Sequence, residues 1–115
     1  MTPIFKILDG AQWRAAQAAG VFEGSAVDLA DGFIHFSTAG QAAETARRHF
    51  AGREGLVLLA LDADALGPAL KWEPSRGGAL FPHLHGVLPA SAVIWSREAP
   101  LGADGIPALG DLAQR

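Results

Sequence analysis

Between Asp31 and Gln41 the chain reads Asp-Gly-Phe-Ile-His-Phe-Ser-Thr-Ala-Gly-Gln, which sets a turn, a strand and a helix start in immediate succession. Asp31-Gly32 is a turn signal, and Phe33 to Phe36 is aromatic and β-branched enough for a buried strand. Thr38 with Gln41 three residues later is a capping-box pair. A strand therefore runs straight into a helix N-terminus. Alternate side chains of an extended strand share a face, so Phe33, His35 and Ser37 point one way and Ile34 and Phe36 the other. His35 and Ser37 then emerge beside the unsatisfied N–H groups of a helix start, which favours a polar or anionic ligand.

The flanking segments supply the rest of one domain. Ile4 to Leu8 reads as a strand, and Asp9 caps a helix from Gly10 to Ala19 with Gly20 as its stop and Trp13 as a core anchor. Val21 to Ala30 reads as a connecting loop with one short helical turn, interrupted at Gly24, Ser25 and Asp28. Thr38 to Phe50 is a helix whose apolar stripe is Ala39, Ala42, Ala43, Ala46 and Phe50, with Arg47, Arg48 and His49 complementing its dipole. Leu56 to Leu61 is apolar on both faces, as in a fully covered central strand. Asp62 to Pro68 suggests a helical turn, Ala69 to Glu73 a strand stopped by Pro74, and Ser75 to Gly78 a polar loop. In Ala79 to Gly86, Pro82 excludes a regular central strand and puts His83 and His85 on an edge, a bulge or a loop. Ser91 to Arg97 is a last strand. Residues 1–98 form a single globular domain by this reading, and 99–115 a surface C-terminal tail.

Composition narrows the function classes. Half of the 115 residues are hydrophobic, enough for one continuous core, and no cysteine is present, which removes disulfides, thiolate nucleophiles and cysteine-ligated metal. A net charge of −3 without a clustered basic face argues against general nucleic-acid binding. The N-terminus lacks a basic segment followed by a long apolar run, and no apolar run spans a bilayer, so the expectation is a cytoplasmic protein without membrane contact.

His35 with Ser37, Glu73, and His83 with His85 are the polar groups with chemical potential. A Ser-His dyad is disfavoured because His35 and Ser37 sit two residues apart on one strand with parallel side chains, and no nucleophile elbow is present. A metal centre of His35, His83 and His85 is disfavoured because no helical His-Glu-x-x-His or comparable spacing occurs. Each group also has a bland reading: His35 as a half-buried ring bonded to a carbonyl, Ser37 as a cap competing with Thr38, Glu73 as a surface carboxylate. Convergence of imidazole, hydroxyl and carboxylate on one concave site is what favours function.

Gly32-Phe33-Ile34-His35-Phe36-Ser37 with Gln41, then Trp72-Glu73, then Phe81-Pro82-His83-Leu84 before Gly86, resembles the bacterial family called domain of unknown function 952, over Ile4 to about Arg97. Where that family commonly carries tyrosine before the final glycine, this chain has His85, a ring of similar reach. The family in turn resembles the ADP-ribosyltransferase fold, including its RNA 2′-phosphotransferase branch. The resemblance implies an α+β domain with an ADP-ribosyltransferase-like curved, split, mostly antiparallel sheet and two main flanking helices. It also implies a pocket for NAD or a related nucleotide such as ADP-ribose. His35 would hold the ribose and amide end of the ligand as a catalytic residue, with Ser37 beside it and the Thr38 helix start facing the phosphates. His83 or His85 would fill the second ring position, and Glu73, with Glu98 as its competitor, would be the catalytic acid. The activity so implied is transfer of an ADP-ribosyl or phosphate-bearing group, or simple binding by a degenerate relative. The alternative is a non-catalytic interaction domain that meets a protein partner through Ser75 to Pro89.

Overall fold

Leu56 to Leu61 occupies the centre of the main sheet, as its two-faced apolarity requires. In the computed structural model, which describes residues 1–113, the chain runs β1 (Pro3–Asp9), α1 (Gly10–Ala19), β2 (Val21–Phe22), α2 (Ala26–Asp31), β3 (Ile34–His35), β4 (Ser37–Thr38) and α3 (Ala39–His49). It continues with β5 (Leu56–Asp62), β6 (Leu70–Ser75), β7 (Ala79–Leu84), β8 (Leu88–Pro89) and β9 (Trp95–Ala99). One sheet has the order β4-β1-β5-β9, a second β3-β7-β6, and β2 pairs with β8. All pairings are antiparallel, so the class is α+β with antiparallel sheets and a few helices.

Strand alternation divides the interior in two. Ile4 and Leu8 of β1 with Leu59 and Leu61 of β5 face a core closed by Trp13, Phe22, Ile34 and Leu84. Phe5 and Ile7 with Leu56, Leu58 and Ala60 face a second core closed by Ala46 and Ala99, against which Phe50, Ile106, Leu109 and Leu112 pack. Burying such side chains stabilises by about 1.5–3 kcal/mol each. Lys6 shares the first-core face with Ile4 and Leu8, and its placement organises the site described below.

The opening motif is not one continuous strand. Ile34 and His35 pair with Leu84 and His83 of β7, whereas Ser37 and Thr38 pair with Phe5 and Ile4 of β1. The chain changes sheets at Phe36, whose N–H donates to the Pro82 carbonyl at 3.0 Å. Proline has no N–H to return that bond, so the β3–β7 ladder stops there and the chain is released to β1.

Two expectations about proline are overturned. β7 is a regular central strand through Pro82, and β6 runs on through Pro74 to Ser75. The His85 N–H bonds the Ala69 carbonyl, which fixes the odd-numbered residues of β7 as those bonding β6. Pro82 and Pro74 therefore fall opposite Trp72 and Leu80 in non-hydrogen-bonded pairs, where no ladder donor is lost between the strands. The last strand also begins later than expected, at Trp95, because Ala90–Ala92 forms a 3₁₀ turn.

Asp9 holds the N-cap position of α1 without a side-chain cap bond; its carboxylate accepts from Arg53 instead, at 2.9 Å. The capping box of Thr38 and Gln41 is formed, and Gly20 ends α1 in the left-handed conformation at φ 85°. In the segment from Pro100, Ile106, Leu109 and Leu112 pack against the second core, Pro107 is buried, Leu101 bridges Pro107, and the Gly52 N–H bonds the Gly105 carbonyl. Residues 114 and 115 of the expected tail lie outside the described residues. No helix among the described residues is long and apolar enough to cross a membrane.

Candidate functional site

β4 covers only Ile4 and Phe5 of one edge of β1, so the strand beyond them faces a gap. A cavity of about 600 Å³ fills that gap, walled by β1 from Phe5 to Asp9, by α2 and by α3. His35, Ser37 and His83 all line it, and so do Lys6, Asp28 and Asp31. The volume is in the range of ordinary small-molecule sites.

Lys6 and Asp28 form the base of the wall, 6 % and 1 % exposed. The ammonium lies 3.0 Å from Asp28 Oδ2, donates to the His35 carbonyl at 2.9 Å, and sits 5.8 Å from the ring centroids of Phe22 and Phe36. Burial pushes the Lys6 ammonium below its ordinary range, opposed by the Asp28 charge. Burial alone would raise the Asp28 carboxyl; the His35 hydrogen bond, the Lys6 charge and the Ser25 N–H together outweigh it and hold the carboxyl well below the usual range. At 3.0 Å the two are placed as an ion pair, the Asp28 charge opposing the effect of burial on the lysine.

Asp28 reaches this place through α2. Ser25 and Asp28 form a reciprocal capping box, and the Ser25 N–H donates to Asp28 Oδ2 at 2.9 Å. The other carboxylate oxygen accepts from the His35 backbone N–H at 3.2 Å and meets His35 Nδ1 at 2.6 Å. One buried aspartate thus caps a helix, pairs a lysine and orients an imidazole. Gly24 gives it room: at φ 126°, a Cβ there would stand 2.9 Å from Asp28 Cβ. Gly24→Ala is expected to destabilise by about 2 kcal/mol, from backbone strain plus the clash. Gly32→Ala, at φ 87° with nothing within 4 Å, should cost only about 1 kcal/mol. Urea unfolding of the two variants checks the difference.

A second cluster adjoins the first. Glu73 Oε1 lies 2.8 Å from both His83 Nδ1 and His85 Nε2, and hydrogen bonds from His85 and then His83 hold its carboxyl below the ordinary range. Phe33 stacks on His83 at 4.1 Å and tilts against His35 at 4.7 Å. The rings of His35 and His83 are 5.4 Å apart, edge to face.

Of the residues expected from the sequence, His35, Ser37 and His83 meet at the cavity, and Glu73 and His85 adjoin them through His83. Thr38 does not line it; its side chain closes the α3 capping box. The Ser37 hydroxyl lies 2.8 Å from that of Thr45. Glu98 lies exposed on β9, the edge of the main sheet opposite β4. Lys6, Asp28 and Asp31 are the residues sequence reasoning passed over. A lysine between Ile4 and Leu8 on a core-facing register was one available signal; the Ser25-x-x-Asp28 spacing was the other.

Residues 7–96 match the model of the family described as "Protein of unknown function (DUF952)". The crystal structure of protein CC0527 from Caulobacter crescentus is 59% identical, with 98% of this chain and 100% of that one covered and a TM-score of 0.95. A crystal structure of a double mutant of CC0527 is 57% identical over the same shares, with a TM-score of 0.94. The solution NMR structure of CC0527 is 59% identical over 96% of each chain, with a TM-score of 0.86. Comparison with curated proteins gave no match.

Proposed function

The chain belongs to the DUF952 family of proteins of unknown function, and from the geometry of its cavity we propose that it holds a nucleotide-type ligand of the NAD or ADP-ribose class. One observation carries the reading: His35 is oriented from behind by buried Asp28 while its ring opens, 33 % exposed, on a cavity shared with Ser37 and His83. A ring bonded at one nitrogen by a fixed carboxylate presents the other in a set direction. In this reading His35 Nε2 hydrogen-bonds the ligand, and Arg53 and His49, also on the wall, meet its remaining phosphate oxygens. The Arg53 pair with Asp9 is half exposed and of little energetic weight, so its guanidinium can turn to a ligand.

Glu73, joined to His83, supplies the carboxylate that stabilises positive charge developing at the sugar. The reaction class is transfer of an ADP-ribosyl or phosphate-bearing group, or binding alone in a degenerate relative. An opened antiparallel sheet with its cavity at the gap fits an ADP-ribosyltransferase-like arrangement. The opening of His35 into a cavity beside Ser37 and a second histidine favours this reading over a module that only meets protein partners.

Thermal-shift and calorimetric titration with NAD, ADP-ribose and 2′-phosphorylated nucleotides tests it. Binding is expected, and His35→Ala should weaken it about tenfold or more, the scale of a charge-assisted hydrogen bond. Arg47→Ala should leave it unchanged, since Arg47 pairs with Glu44 away from this cavity. Absence of binding at millimolar concentrations of all three ligands would sink the reading, and equal losses in the two variants would put the site elsewhere.

A further inference from the structure

We propose that His35 Nε2 is an anion subsite which Asp31 occupies in place of a ligand, so that a phosphate oxygen binds by displacing the Asp31 side chain. The inference rests on the reading of the cavity as a nucleotide-type pocket and adds how its anionic group is recognised.

The two nitrogens of His35 are held very differently. Nδ1 meets Asp28, which is 1 % exposed and fixed by Lys6, by the Ser25 N–H and by the His35 N–H. Nε2 meets Asp31 at 2.9 Å, and Asp31 is 47 % exposed at the C-terminal end of α2. A carboxylate at that end faces the partial negative charge of the last helix carbonyls, so helix stability does not explain its presence. Both nitrogens face carboxylate oxygens, which only accept, so both contacts are hydrogen bonds at once only when the ring carries a proton on each nitrogen.

Charge balance then selects the ligand. Lys6 offsets Asp28, and a ring with a proton on each nitrogen, the arrangement in which both carboxylate contacts are hydrogen bonds, offsets Asp31. With Asp31 swung away, the cluster carries one uncompensated positive charge, and a phosphate oxygen restores neutrality where a neutral group does not. The ring stays put during the exchange, because Phe33 and His83 contact it from the sides and Asp28 from behind. His35 and Asp31 both line the cavity, so the vacated position opens into it. The occupied state lowers apparent affinity by the fraction of time that Asp31 holds the nitrogen.

Inorganic pyrophosphate and ADP-ribose titrated into wild type, Asp31→Ala and Asp31→Asn make the test, by calorimetry and by the ¹⁵N resonances of the His35 ring. Asp31→Ala is expected to bind pyrophosphate about fivefold more tightly than wild type, the scale of removing an exposed ion-pair competitor. Asp31→Asn, which keeps the size of the side chain, should move in the same direction, and Nε2 should shift on binding. Equal or weaker binding by both variants, an unmoved Nε2 at saturation, or no pyrophosphate binding in any form overturns the proposal. If ADP-ribose binds wild type and both variants equally, the pocket reading stands and the displacement fails. If pyrophosphate tightens in the variants while ADP-ribose binds none of the three forms, the displacement stands and the nucleotide reading fails.

Discussion

Asp28→Asn is expected to destabilise the fold by about 3–5 kcal/mol, the usual cost of removing one partner from a buried ion pair. The variant keeps the size of the side chain and a group able to accept from Ser25, but it leaves the Lys6 ammonium without a countercharge between two aromatic rings. It also presents an amide where His35 Nδ1 now meets a carboxylate oxygen at 2.6 Å. Denaturant unfolding with an unchanged m-value should report the loss. A cost below about 1 kcal/mol would mean that the aspartate is no more than a helix cap.

Stability should follow the same group through pH. The Asp28 carboxyl is lowered in the folded protein from the ordinary value of 3.8 that it takes in the unfolded chain. A lowered folded pKa means that the unfolded chain binds the proton more readily as pH falls. The contribution is therefore fully present above the unfolded value and is lost progressively as pH falls below it toward the folded value. Wild type should lose stability steeply on acidification below about pH 4, and Asp28→Asn should lose much less over the same interval. Parallel acid profiles would remove Asp28 from the account.

How much of this was legible before the fold was known depends on which rule each element obeys. α1, α3 and β5 follow local rules of periodicity, caps and continuous apolarity, so their residues announce them. The prolines mislead because their effect depends on which edge of a strand carries the ladder bonds, a fact of pairing that is absent from local sequence. His35 was visible as a polar residue in an apolar strand. Its partner was not: Asp28 sits among residues that look like a loop, and a charged side chain goes 1 % exposed only when the fold brings Lys6 and His35 to it. The cavity itself arises from a non-local event, the change of sheets at Phe36, which leaves most of one edge of β1 uncovered.

Lys6→Met should cost about 3 kcal/mol on its own, and the double variant Lys6→Met/Asp28→Asn markedly less than the sum of the two single losses. Methionine fills the volume between Phe22 and Phe36 with a flexible apolar chain, so packing is largely kept and what is lost is charge and the bond to the His35 carbonyl. In the single variant the Asp28 carboxylate remains buried without its ammonium. In the double variant neither charge is stranded, and a coupling of about 2 kcal/mol or more should appear in the cycle. Strict additivity would show that the two do not act as a pair. The cycle also separates folding from function. With neither charge stranded, His35 still lacks the carboxylate that sets its ring, so the double variant should melt well above the temperature that the summed single losses predict, yet bind ADP-ribose no better than His35→Ala does. Recovery of both stability and binding would place the orienting force on His35 elsewhere, with Phe33 and His83 the contacts next to examine.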